Sequence, residues 1–358
     1  MAAELHVMHV NVNSVRSKRT ELELYLREVK PHIVCLNETK LCGKSMPRFA
    51  GFKTAAVRDR TVGKTCGGGV AILVSSAIIC SDVSPDTDDI VAIELHMGQT
   101  KYAVIAYYWP PGNSDLNLGV LNQFVLKYER MILMGDLNAR HQYFGSKSSD
   151  ARGGELLDFV ERNDLIVANN ASQMTRYDVR TGKSDLIDYA IVSRPAAGRY
   201  TECHVGESIG SDHSSLHLTV KLQCQIASVP TKEVRILAKC DWALFSLHLA
   251  EASAVSNARA LTSEADIDER CDEIRRSIAD AIDLACPKRK VKAFAFRLRP
   301  DTVNLIRLKR KLRRMSQNSC DPVYRTMYNN ISRQVAAAIR RERQNAWLEV
   351  TASLDETD

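Results

Sequence analysis

Residues 130–160 read RMILMGDLNARHQYFGSKSSDARGGELLDFV, and this stretch decides the architecture. Its first part is an apolar run of strand length that stops at Gly135-Asp136-Leu137-Asn138, residue types that end strands and make turns. A polar, glycine-containing loop follows, and then Gly154 to Asn163 puts Leu156, Leu157 and Val160 on one helical face. A buried strand, a polar loop and an amphipathic helix in so short a span form one unit of an α/β domain.

The same alternation extends in both directions, from Leu5 to Leu222. The runs LHVMHV, IVCLNET, GVAILVS, IVAIELHM, YAVIAYYW, LIVANN, LIDYAIVS and LHLTVKL are rich in valine and isoleucine and bounded by Gly, Pro, Asn and Asp, as strands are. A second helix is expected over Ser17 to Val29, where Leu22, Tyr25, Leu26 and Val29 share a face. After about Gln225 the strand signal almost vanishes, and Pro230, Pro287, Pro300 and Pro322 divide Ala-, Arg-, Glu- and Leu-rich sequence into helices of ordinary length. A chain of 358 residues exceeds the usual single-domain size. Two regions are therefore expected, an α/β domain over 1–224 and a basic helical linker over 225–358, leading into sequence that lies beyond this chain.

The start lacks a basic segment followed by an apolar run, and no stretch of about 18 apolar residues occurs, so neither secretion nor a membrane span is expected. Ten cysteines without any C-x-x-C pair argue against a disulfide framework or a zinc cluster and for reduced thiols in a nuclear or cytoplasmic compartment. Cys203 beside His204 reads as a packed thiol and a surface imidazole. Gly67-Gly68-Gly69 lacks the phosphate-loop spacing and reads as a tight turn entering a strand.

Polar residues recur where the apolar runs end. They are Asn11, Glu38, Tyr107 and Tyr108, Asp136 and Asn138, Asp188, and the pair Asp212 and His213. Each alone fits a turn or cap. Together they fit the strand-end position where active sites of such sheets collect. Glu38 with Asn11 suits a hard cation, Mg²⁺ or Mn²⁺, which would act as a Lewis acid. Asp136 can take a proton from a water that Asn138 orients, both side chains pointing one way from an extended strand end; an Asx turn is the bland alternative. His213 can donate to developing negative charge, held by Asp188 or Asp212.

The order N-V-N, L-N-E-T-K-L, C-G-G-G-V-A-I, A-Y-Y-W-P-P, M-G-D-L-N-A-R-H, L-I-D-Y and G-S-D-H-S resembles the endonuclease/exonuclease/phosphatase superfamily. Within it, D-x-N-A-x-H followed by F-G-S and R-G resembles the apurinic/apyrimidinic-like endonuclease domain of non-LTR (LINE-type) retrotransposons. The resemblance covers about residues 5 to 222. It implies a four-layer α/β sandwich, two packed mixed β-sheets flanked by helices, and Mg²⁺-dependent nicking of one DNA strand to leave a 3′-hydroxyl that primes reverse transcription. It also implies Glu38 as the principal metal ligand with Asn11 beside it, Asp136 and Asn138 acting on the water, and Tyr108 near the phosphate. Asp188 and His213 become a charge-stabilising pair, with Asp212 as a supporting carboxylate. Asn13 departs from the Asp common in abasic-site repair relatives, and Phe144 from a frequent Trp, the latter a change of packing.

The net charge of +6 is unevenly spread: residues 286 to 345 hold 17 Lys and Arg against 3 acids. Lys309, Arg310, Lys311, Arg313 and Arg314 are expected to meet nucleic acid, duplex DNA first and element RNA second; the bland alternative is a solvated linker helix. Competing readings for the whole chain are a superfamily phosphatase on a small phosphoester and a non-catalytic nucleic-acid-binding remnant.

Overall fold

The computed structural model describes residues 4–41, 46–62, 65–97, 100–112, 116–197, 200–222, 233–256, 263–290, 298–319 and 321–355. Cys42, Cys224, Cys320, Pro230 and the expected boundary at 224 lie outside the described residues. Two compact units are present, one comprising Met1–Val229 with Phe296–Asp358 and the other Pro230–Ala295. The expected linker over 225–358 is thus divided, and nearly half of it, from Phe296 on, belongs to the α/β unit.

In chain order the first unit begins β1 (Glu4–Asn11), α1 (Val15–Val29), β2 (Ile33–Asn37), β3 (Phe52–Arg58), β4 (Thr61–Val62), β5 (Thr65–Cys66), β6 (Val70–Ser75), β7 (Cys80–Asp82) and β8 (Ile90–Met97). It continues with β9 (Thr100–Tyr108), α2 (Leu118–Lys127), β10 (Arg130–Asp136), α3 (Ala151–Arg162), β11 (Leu165–Val167), β12 (Arg176–Asp178) and β13 (Lys183–Asp185). Then come β14 (Asp188–Ser193), the short α4 (Arg194–Ala197), β15 (Tyr200–Val205) and β16 (Leu216–Lys221). The strands form two six-stranded sheets, ordered β15-β16-β1-β2-β6-β3 and β11-β14-β10-β9-β8-β7. Each sheet is mixed, with one parallel pair, β1 with β2 and β9 with β10, joined through α1 and α2.

The sheets pack face to face and helices cover their outer faces, giving the four layers. In β9, Tyr102, Val104, Ala106 and Tyr108 enter the core between the sheets, while Ala103, Ile105 and Tyr107 face the helix side with Leu121 of α2 and Leu156 and Phe159 of α3. On the other outer face, Leu22, Tyr25 and Leu26 of α1 meet Met8, Val10, Val34 and Leu36. Burial on both faces is why these strands read as continuous apolar runs instead of alternating ones. Gly135 has a separate cause: a Cβ there would lie 1.8 Å from the Tyr107 carbonyl oxygen.

A histidine cluster crosses the α1 face of the first sheet. His6 Nε2 and His217 Nδ1 share a 3.0 Å hydrogen bond, and Tyr25 and Ser215 hydroxyls lie 2.9 and 2.8 Å from His217 Nε2. Burial first, then neighbouring imidazoles, lowers His217 from its ordinary 6.5 to about 3 and His6 to about 4. Folded values below the unfolded one mean that the unfolded chain binds these protons first. The contribution is complete above about pH 6.5 and is lost as pH falls toward 4 and then 3, by up to about 1.4 kcal/mol per pH unit per histidine. The denaturation midpoint is therefore expected to fall between pH 7 and 5, and less steeply in His217→Gln; identical slopes for the two proteins would refute this.

The second unit comprises β17 (Glu233–Arg235), α5 (Trp242–Ser256), α6 (Glu264–Ala285) and β18 (Lys288–Lys290). Ser263 and Asp266 form a capping box at the start of α6. Cys240 and Cys286 are joined by a disulfide, a correction to the expectation of reduced thiols throughout. Pairing of β17 with β18, and the bond from Asp241 N to the Ala285 carbonyl, bring the two cysteines together across 46 residues of sequence. Cys35, Cys80, Cys203 and Cys271 are free. Among the described residues no helix is long and apolar enough to cross a membrane.

The basic sequence returns to the first unit as α7 (Pro300–Ser319) and α8 (Pro322–Asp355), which pack on each other. Glu342 of α8 accepts from Arg299 N and from the Thr302 hydroxyl at the start of α7.

Candidate active site

Strand register brings the expected residues to one edge of the molecule. Asn11 pairs with Asn37 at the ends of β1 and β2, and Asp136 lies between Tyr108 of β9 and Asp188 of β14. Glu38 follows β2 and His213 precedes β16, so the two sheets present their polar residues to each other across the top of the apolar core.

Asn11 links the two halves. Its amide nitrogen donates to Glu38 Oε1 and to Asp136 Oδ2, each at 2.9 Å, while its own oxygen accepts from Asn13 N. Tyr108 donates to Glu38 Oε1 at 3.3 Å. Burial, then the charges of Glu38 and Asp136, push the Tyr108 phenol above its ordinary range, so it stays neutral. Lys40 Nζ lies 2.9 Å from the other Glu38 oxygen. Backbone at Glu38 and Lys40 is left-handed, with φ of 50° and 48°. Thr39 N and Lys40 N donate to the carbonyls of Gly69 and Gly68. The glycine run is thus the turn into β6, and also a site support, because a Cβ on Gly68 would press within 3.2 Å of the Tyr108 ring.

Opposite Glu38 lies a buried ionic triad. Asp188 contacts His213 Nδ1 at 2.8 Å, and His213 Nε2 faces Asp136 Oδ2 at 3.8 Å. Burial pulls His213 down, but Asp188 and then Asp136 outweigh it and lift the imidazole to about 9, so it is a cation near neutral pH. Burial pushes Asp188 up, yet His213 holds its carboxyl below the usual range. Asp136 goes the other way, to about 7, chiefly because of burial. Of the two carboxylates open to the role, Asp188 is therefore the one that orients His213. Asp212 is a third exposed on its side chain and accepts from Arg176 Nε at 2.9 Å; burial raises it, and His213 and Arg176 more than offset that.

Asn138 differs from the expectation. β10 ends at Asp136, Asn138 is left-handed at φ 47°, and its N–H donates to Asp136 Oδ1 at 3.1 Å. This is an Asx turn, and the Asn138 amide donates to the Trp109 carbonyl at 3.2 Å.

Several supporting residues were not legible in the sequence. Asn37 Oδ1 accepts from Asp136 N, and the fully buried His9 joins Asn37 at 2.7 Å and approaches Asp188 at 3.7 Å. Both lie inside apolar runs, with only their polarity as a signal. The Thr175 hydroxyl accepts from Ile187 N and Asp188 N. Arg152, in the R-G pair, lies 3.7 Å over the Trp109 ring and donates to the carbonyls of Trp109, Pro110 and Leu137. Phe144 is buried edge-on against Tyr189.

Of the five α7 residues expected to meet nucleic acid, Lys309, Arg310 and Arg313 need a correction. Lys309 is buried in a pair with Glu21 at 2.7 Å, and Arg310, also buried, pairs with Glu28 at 2.7 Å. Arg313 is buried against backbone carbonyls of Ser211 and Asp212. These three serve intramolecular partners that the local sequence of α7 does not reveal, acids of α1 for Lys309 and Arg310 and loop carbonyls for Arg313. Arg314 contacts Glu207 but is half exposed, and Lys311 is exposed.

Asp136, Asp188 and His213 offer ligand atoms within 4.8 Å of one another, a cluster compatible with a divalent ion. Glu38, its carboxylate already facing one ammonium group, is the more accessible oxygen donor, 20% exposed on its side chain. With the oxygens of Asn11, Glu38 and Asp136 side by side, the donor set fits a hard cation.

The family described as endonuclease-reverse transcriptase matches residues 102–217. The endonuclease domain of TRAS1, a telomere-specific non-LTR retrotransposon, superposes with a TM-score of 0.52 at 21% identity, over 61% of this chain and 99% of that one. The α/β unit has the fold of that endonuclease domain. Similar proteins from Drosophila melanogaster include the probable RNA-directed DNA polymerase from transposon X-element, 25% identical over 94% of this chain and 37% of that protein. The RNA-directed DNA polymerase from mobile element jockey is 26% identical over 77% of this chain and 30% of that protein. The chain thus spans about a third of the length of these relatives.

Proposed function

We propose that this chain is a divalent-metal-dependent endonuclease that nicks one strand of duplex DNA by phosphodiester hydrolysis, leaving a 3′-hydroxyl for target-primed reverse transcription of a non-LTR element, in the nucleus. One observation carries the reading: the Asp136–His213–Asp188 triad faces Glu38 through Asn11, so base, cation and metal-binding carboxylate surround one point. Glu38, with Asn11 beside it, would hold Mg²⁺ or Mn²⁺, which when bound supplies Lewis-acid polarisation of a phosphoryl oxygen.

The protein's own groups do the rest. Asp136 takes the proton of the attacking water, and its value of about 7 suits a base working near neutrality. Asn138 fixes the geometry of that carboxylate from the Asx turn. His213 donates from Nε2 to the phosphoryl oxygen on which charge grows, and Asp188 keeps the ring charged and oriented. Tyr108, a neutral phenol, donates toward the same oxygens. Asp212 and Arg176 border the site at the surface. Lys311 and Arg314, with Arg307, are the exposed cations of α7 and would be the ones to meet a phosphate.

The test is conversion of supercoiled plasmid to open circle by the full chain, with Mg²⁺ or with EDTA, beside Glu38→Ala. Metal-dependent nicking lost in the variant is the expected result. Hydrolysis of a small phosphoester without nicking, or duplex binding with neither reaction, would overturn the proposal.

A further inference from the structure

The imidazole assigned to catalysis sits on a loop whose own hydrogen bonds join its ends and its Ser208–Ser211 turn. Residues 206–215, between β15 and β16, contain neither helix nor strand beyond one bridge from Arg176 to His213. On one side the loop is tied to the β12 segment, by Ser214 N to the Thr175 carbonyl and Tyr177 N to the Asp212 carbonyl. On the other side Tyr25 of α1 holds the two ends of the loop, through Glu207 N and the Ser215 hydroxyl, and α7 reaches the residues next to His213.

Arg313 of α7 is 4% exposed, and its guanidinium spans the loop. One terminal nitrogen donates to the Ser211 carbonyl at 2.6 Å; the other donates to the Asp212 carbonyl at 2.6 Å and approaches the Tyr177 carbonyl at 3.4 Å. These are the two residues immediately before His213, and His213 N itself donates to Ser211 Oγ at 3.3 Å. The α7 end of this contact is fixed too, by the Tyr177 hydroxyl on Ser316 and by Lys309 on Glu21. The planar fork matches two neighbouring carbonyls, which a point charge on a flexible stem does not.

We propose that Arg313 is a positioning residue for His213, so that the helix following the sandwich forms part of the nuclease. This rests on the endonuclease reading above. A phosphate-binding role for Arg313 makes the opposite predictions, because displacement of a catalytic group by about 1 Å can cost 10²-fold in turnover while leaving ground-state binding intact.

The experiment compares wild type, Arg313→Ala and Arg313→Lys as full chains. Expected are a kcat for plasmid nicking lowered about 10- to 100-fold in Arg313→Ala, a KM within about twofold, and an unchanged salt dependence of duplex binding; Arg313→Lys should regain less than half of the lost rate. Histidine-selective ¹⁵N spectra, recorded without substrate, should show the His213 ring signal shifted or broadened in both variants while the other assigned histidines stay put. Wild-type kcat in Arg313→Ala, full recovery in Arg313→Lys, or a loss confined to KM with a shallower salt slope would each overturn the proposal. If Arg313→Ala does not fold, the Lys variant and its spectrum decide alone. A wild type that never nicks would sink the endonuclease reading, and the His213 signal would still judge the clamp.

Discussion

Asp136→Ala and His213→Ala are each expected to lower nicking by at least about 10², with the fold intact. A hundredfold loss corresponds to about 2.7 kcal/mol of barrier, at the lower end of what a positioned base or a charge-stabilising donor contributes. Asp136 is 1% exposed and receives Asn11, the Asn138 N–H and a 3.8 Å approach from His213, so the isosteric Asp136→Asn is the cleaner variant for structure and should be equally inactive. Asp188→Asn should follow His213→Ala, since it is the carboxylate that holds the ring. Because the residues act as one unit, the double variant Asp136→Ala/His213→Ala should lose little more than either single one. A folded single variant with wild-type nicking in the plasmid assay would remove that residue from the mechanism.

That site was legible in outline because its residues interrupt apolar runs. Nine runs read as strands are β1, β2, β6, β8, β9, β10, β11, β14 and β16, and both helices read in the first half are present as α1 and α3. The strands missed were those with weaker apolar character. β3 (FKTAAVR) and β15 (YTECHV) are edge strands of the first sheet, and β12 and β13 form a polar hairpin. Edge and hairpin strands are held by backbone pairing and need no continuous apolar face. α2 escaped because its sequence, LGVLNQFVLK, is apolar enough to pass for strand or helix. His9 and Asn37 lie at buried strand positions where only a fold can say whether a polar side chain is a defect or a support.

The basic segment is where local reading fails for a physical reason. A run of arginines and lysines has the same composition whether its counterions are phosphates or carboxylates of the same chain, and the carboxylates here sit on α1, some 280 residues earlier in sequence. Leu312 of α7 is buried while Leu308 is exposed, and Lys309, Arg310 and Arg313 share the buried side. Long basic side chains can line an apolar stripe when acids wait across it. The split of the expected linker region has the same origin, since α7 and α8 pack on the sandwich while residues 230–295 form their own unit.

The Lys309–Glu21 pair turns this into a stability measurement. Both side chains are about a tenth exposed, and Lys309 Nζ contacts both Glu21 oxygens, at 2.7 and 2.8 Å. Gly210 closes over the pair: a Cβ there would lie 2.9 Å from Lys309 Nζ. Removing one member leaves the other charge buried without its partner, which costs about 3 kcal/mol or more, whereas replacing both by apolar residues of similar size is near neutral. Glu21→Gln is therefore expected to lower the denaturation midpoint of this unit strongly and to speed amide exchange across α7. Glu21→Leu combined with Lys309→Met should recover most of the loss, with a coupling of at least about 2 kcal/mol between the sites. Were Lys309 instead a solvent-facing contact for nucleic acid, each single change would stay within about 0.5 kcal/mol and Lys309→Met would reduce the salt slope of DNA binding by about one. A large coupling with an unchanged salt slope assigns Lys309 to the interior of the folded unit; the reverse pattern assigns it to a nucleic-acid surface.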